Sequence, residues 1–154
     1  MSLEKMPEMF IPKIETREKE TVLKELADQT FASWNEALLS RDAKNVAALY
    51  AEDASFLPTL NPEFKKSREG AEEYFKHFLE KNPEGEVVEE MVQETAVDGE
   101  GNPTGFLHSG LYNFEVGEPD NRQIVEARFT FLWSKDETGA WKIAHHHSSV
   151  KPLE

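Results

Sequence analysis

"RQIVEARFTFLWSKDETGAWKIAHHHSSV", residues 122–150, decides how this chain folds. From Val125 to Trp133 apolar side chains fall on every second position, with Glu126, Arg128, Thr130 and Leu132 between them. A period of two is that of a β-strand with one face turned to a core. "KDETGA" then supplies turn-forming residues, and a second extended segment opens at Trp141. Long strands joined by so short a connection pair as antiparallel neighbours.

Upstream, the same alternation predicts strands over 86–97 and 104–116, separated by "DGEGNP" and "GEPDN". With 122–134 and 140–150 this makes four strands in succession. The N-terminal half has the other period. Leu23, Ala27, Phe31, Trp34 and Leu38 mark a long helix over about 16–40. Asp42 is placed to cap a short second helix whose buried side carries Val46, Leu49 and Tyr50. "ASFLPTL" is a short extended piece, broken by Pro58 and Pro62. "SREGAEEYFKHFLEKNP" then places Ala71, Tyr74, Phe75, Phe78 and Leu79 on one helical face, and Pro83 stops it. The expectation is an α+β domain: one long and two shorter helices on a curved antiparallel sheet of four or more strands, with a cavity between the layers. Residues 1–15 form an N-terminal arm and 16–152 the domain.

Composition narrows the function. Seventeen Lys and Arg stand against thirty Asp and Glu, a formal net charge of −13, and no basic run offsets it. A phosphate backbone is repelled by such a field, so no nucleic-acid partner is expected. There is no cysteine, which excludes disulfides and thiolate chemistry. No apolar run approaches the roughly 20 residues of a membrane span. The first twenty residues lack the form of a secretory signal. A soluble cytoplasmic protein without membrane contact is the expectation.

The three histidines of the last strand divide by alternation. If Trp141 and Ile143 face inward, His145 and His147 follow them into the cavity, while His146 turns outward with Lys142, Ala144 and Ser148. Two imidazoles at i and i+2, about 7 Å apart at Cα, hold a metal only with further ligands. Glu94, Glu126 and His108 are available, but no spacing singles one out, so no metal and no other cofactor is expected. His145 and His147 are read as hydrogen-bonded pocket residues, and as the catalytic candidates if a proton is transferred. Trp34, Tyr50, Tyr74, Phe78 and Tyr112 are candidates for the pocket wall, with plain core packing as the competing reading. The Tyr50 and Tyr112 hydroxyls are the groups a cavity would use. For Arg128 two orientations stand open: into the cavity, or solvated beside Glu126.

Five stretches, "SWNEALLSRDAKNVAALYAEDASFLPTL", "EEYFKHFL", "SGLYNF", "EARFTFLW" and "WKIAHHHSSVKP", together resemble the NTF2-like superfamily. Within it they are similar to the association (hub) domain of calcium/calmodulin-dependent protein kinase II and its stand-alone relatives, SgcJ/EcaC-type proteins among them. The resemblance spans roughly residues 22–152. It implies a cone-shaped domain that dimerises through its sheet, with dimers stacking into rings in the kinase hubs. It also implies a pocket lined by the long helix and the concave sheet, and it favours the inward Arg128, a fixed cation for a small carboxylate-like ligand. The chain departs from the hubs in having no kinase domain, no basic amphipathic segment and only five arginines. Two functions follow as expectations: a homo-oligomerisation domain, dimer or larger ring, whose pocket holds a small anion; or an isomerase, dehydratase or cyclase in which His145 or His147 is the base.

Overall fold

The computed structural model describes residues 10–154, with side chains from residue 17 onward. The N-terminal arm expected over 1–15 therefore lies outside the described residues as far as residue 9, and helix already runs from Phe10. Helix α1, Phe10–Leu39, buries Leu23, Ala27, Thr30, Trp34 and Leu38, one stripe at helical spacing. It ends where Arg41 takes a left-handed conformation at φ 58. A side chain with a Cβ is disfavoured there. The Arg41 guanidinium donates to the carbonyls of Leu38 at 3.1 Å and Pro83 at 2.6 Å, which ties that turn to the start of the sheet.

Asp42 caps α2, Ala43–Ala47, accepting the Lys44 N–H at 2.9 Å. Tyr50, expected on the buried side of this helix, instead opens a strand: β1 is Tyr50–Leu57. Ser67 caps α3, Arg68–Phe78, whose buried Ala71, Tyr74, Phe75 and Phe78 are the predicted stripe. A single 3-10 turn, Leu79–Lys81, and a left-handed Asn82 lead into β2, Glu84–Val97. The remaining strands are β3, Pro103–Val116, β4, Gln123–Lys135, and β5, Trp141–Val150.

The sheet has five strands in the order β1-β5-β4-β3-β2. All neighbours are antiparallel except β1 and β5, which run parallel. That parallel pairing is what three intervening strands and a helix allow; a short connection would forbid it. The fold is α+β as expected, with one strand more than the four read from the alternating half. One sheet face is covered by α1, α2 and α3, and the core between them is aromatic: Trp34, Tyr50, Phe56, Phe75, Tyr112, Phe114 and Phe131 are buried. Among the described residues no layer lies over the opposite face. No helix among the described residues is long and apolar enough to cross a membrane.

Candidate functional site

The face each histidine takes is set by one extra residue. Across β4 and β5, Leu132 lies opposite His145 but Trp133 lies opposite Ile143, so Ala144 is a bulge with no partner of its own. A one-residue insertion reverses the alternation beyond it. Ile143 is buried as predicted, but past the bulge His146 and Ser148 face inward, and His145 and His147 face outward. The expected orientations of all three histidines are thus reversed. Arg128, two residues from the pairing of Thr130 with His147, is exposed on the same outer face, while Ala127, Phe129, Phe131 and Trp133 fill the core. The inward Arg128 does not occur, because the aromatic side of β4 is the side the helices cover.

His146 sits at the centre of the inner face. It occupies one cross-sheet row with Phe56 and Phe131. Its ring is sandwiched between theirs, with centroids at 4.8 and 4.1 Å. Both nitrogens are engaged: Nδ1 lies 2.8 Å from the Tyr50 hydroxyl and Nε2 3.3 Å from the Tyr112 hydroxyl. Tyr112 donates onward to Ser148 Oγ, which is also bonded to Thr59 Oγ1. Trp34 Nε1 donates to the Tyr50 oxygen at 3.2 Å. Indole nitrogen can only donate, so one direction runs through the chain. Trp34 gives to Tyr50, Tyr50 to Nδ1, Nε2–H to Tyr112, Tyr112 to Ser148. His146 is therefore the neutral Nε2–H tautomer.

Burial, and then the neighbouring His145 and His147, hold His146 well below the usual imidazole range. Burial likewise raises Tyr50 well above the usual phenol range, and Tyr112 in the same direction. Tyr74 is pushed up to about 12 by burial, opposed by the Leu60 backbone and the Thr59 hydroxyl beside its own hydroxyl. Of the five wall candidates, Trp34, Tyr50 and Tyr112 meet in this chain, while Tyr74 packs beside it against Phe56 at 5.3 Å and Phe78 packs against Tyr74 at 5.5 Å. The space where a cone cavity would lie is occupied by these rings. The sequence did not reveal Thr59, Ser148 or the inward His146. The pointer was there in two tyrosines on buried faces, whose hydroxyls require polar partners.

The outer face brings the other candidates together. His145 Nδ1 lies 2.7 Å from Ser55 Oγ, and burial followed by the charge of His147 lowers its pKa. Arg128 Nε donates to Ser149 Oγ at 3.1 Å, and the guanidinium makes no ion pair among the described residues. Arg128, Thr130, His147 and Ser149 border a shallow recess of about 260 Å³. On the covered face, buried His108 bonds Glu90 at 3.2 Å, beneath Lys24 of α1. Burial lowers its pKa, with Glu90 opposing. Among the described residues no group of three or more His, Asp or Glu is arranged to hold a metal ion.

The sequence model for the calcium/calmodulin dependent protein kinase II association domain matches residues 23–152. A Xanthomonas campestris protein assigned to that association domain is 36% identical, over 80% of this chain and 84% of its own, with a TM-score of 0.72. An NTF2-like protein from Novosphingobium aromaticivorans shares the fold at a TM-score of 0.67 and 11% identity, over 92% of this chain and 90% of its own. A Streptomyces avermitilis protein of the NTF2-like family, assigned as a dehydratase, does so at 0.71 and 14%, over 88% and 99%. The last two likenesses are of fold alone. No curated protein matches the sequence.

Proposed function

The chain belongs to the calcium/calmodulin-dependent protein kinase II association-domain family, and from that premise we propose that it is a homo-association domain, joined to a second copy by the uncovered face of its sheet. The observation that carries this reading is the composition of that face. Leu57, Leu107, Leu111 and Leu132 lie half-buried at its centre, and Met91 is 61% exposed. No element among the described residues covers them. Five strands about 4.8 Å apart and about ten residues long present roughly 800 Å², one partner's share of a standard interface.

Charge supports the same arrangement. Along one row, Arg128 on β4 and Glu89 on β2 stand on either side of Leu111 on β3. A two-fold axis parallel to β3 sets Leu111 against its own copy and each Arg128 against the partner's Glu89, a self-complementary contact. Association by strand edges is disfavoured instead. The free edge, β2, carries Glu84, Glu86, Glu89, Glu90 and Glu94 and is bulged between Val87 and Glu89.

Catalysis by His145 or His147 receives less support. Both stand on the open face, away from the enclosed hydroxyls of Tyr50 and Tyr112. The inward imidazole, His146, has both nitrogens engaged and no room beside it for a substrate.

Light scattering on the eluting protein tests the association. The wild type is expected at twice the chain mass of 17.6 kDa or a higher multiple, and Leu111→Glu, which opposes two carboxylates across the axis, at the chain mass. A monomeric wild type would end the proposal.

A further inference from the structure

On the uncovered face, β4 and β5 place four polar side chains at the corners of a rectangle. Arg128 pairs with Ser149 and Thr130 with His147, so the corners lie about 7 Å apart along the strands and about 5 Å apart across them. All four border the recess of about 260 Å³, and no carboxylate does. Arg128 Nε donates to Ser149 Oγ at 3.1 Å, which holds the guanidinium across its row and leaves the Ser149 proton to donate elsewhere. His147 is exposed and Thr130 half-buried, so an imidazole and a second hydroxyl open to the same space. Glu126, two residues along β4, and Glu89, two strands away, make no ion pair with the guanidinium. In a chain where acids outnumber bases thirty to seventeen, this recess is a local reversal of sign.

We propose that Arg128, Thr130, His147 and Ser149 form a site for a free tetrahedral oxyanion of the phosphate or sulfate class, and that its occupation opposes self-association. Donors converge from four corners, so each oxygen of such an ion can accept from a different side chain. A carboxylate offers two oxygens in one plane and leaves part of the set unmet. The net charge of −13 does not forbid this. At physiological ionic strength its field is screened beyond about 8 Å, and the donors at contact distance decide. The effect on association rests on the reading above, in which Arg128 meets the partner's Glu89. A dianion on Arg128 takes that pairing and sets like charge beside the carboxylate. A ligand held only by the separated chain weakens association by mass action.

The titration follows the imidazole signals of the five histidines in the full chain, with His147 assigned through His147→Gln, as sodium phosphate replaces sodium chloride at constant ionic strength. His147 is expected to move to saturation while the enclosed His146 stays in place. Arg128→Gln, a change at an exposed position, should weaken phosphate about tenfold or more, the worth of one charge-assisted hydrogen bond. Acetate and phenyl phosphate, with two and three free oxygens in place of four, should each bind about tenfold more weakly or worse. Glu89→Gln removes the competing carboxylate, so the same titration on it reads the site even where self-association covers the wild type. The site is overturned if His147 stays unmoved in Glu89→Gln, if Arg128→Gln binds phosphate as the wild type does, or if acetate or phenyl phosphate binds equally well. Sedimentation equilibrium reads the effect on association, which should weaken in phosphate relative to chloride; equal association in both salts overturns the competition. A chain monomeric in both salts removes the association reading and the competition with it, while the titration still decides the site.

Discussion

Replacing His146 by phenylalanine keeps a ring between Phe56 and Phe131 but removes both nitrogens from the buried chain. Tyr50 still accepts from Trp34, yet its own O–H loses its acceptor. An unsatisfied buried donor costs about 1–3 kcal/mol, and the lost donor to Tyr112 a further 0.5–1.5 or so, giving about 2–4 kcal/mol at neutral pH. The pH dependence identifies the cause. In the folded wild type His146 is held neutral, well below its ordinary range, by burial and by His145 and His147. The unfolded chain takes up the proton below about pH 6.5 and the fold does not, so stability is complete above that value and falls as pH drops toward the folded pKa. From about pH 7.5 to about 5.5, one such group removes about 1.4 kcal/mol. His146→Phe has no imidazole to lose there. Its deficit against the wild type should therefore shrink from about 2–4 to about 1–3 kcal/mol over that interval. His108 and His145, also depressed, are common to both proteins and cancel. Urea unfolding followed by far-ultraviolet circular dichroism, at one protein concentration and both pH values, measures the gap. A gap that stays constant with pH would refute the buried neutral imidazole.

Two further outcomes follow. Arg128→Glu should weaken self-association at least tenfold and Arg128→Glu combined with Glu89→Arg should recover most of it, by sedimentation equilibrium; an equally weak double variant would displace the axis from β3. Gly110 has φ +156, and a Cβ there would overlap the Glu89 carbonyl at the β2 bulge. Gly110→Ala should lower thermal stability by about 2 kcal/mol or more, roughly 4–8 °C for a chain of this size. An unchanged melting temperature would mean that β2 and β3 can part there without loss.

The elements were legible because they rest on local periods. Alternation along 122–134, helical spacing in 23–38 and 71–79, and the turn residues between strands each hold within a dozen residues. Strand β1 was only half legible, as an extended piece, because its identity depends on β5 almost a hundred residues away. The aromatic side of β4 read correctly as one face; which layer it met was beyond local reasoning.

The site depended on contacts the sequence does not order. Ala144 looks like any strand residue, and nothing around it announces that it has no partner across β4. Yet that insertion turns His146 into the core and carries His145 and His147 to the open face. Local periodicity determined the segments and their types, since each follows from side chains a few residues apart, while particular stretches such as "EARFTFLW" carried the resemblance to the family. Only the tertiary structure decided which imidazole is enclosed and where Arg128 points. A parity error of one position reverses every later side chain, and the register that prevents it is set between strands.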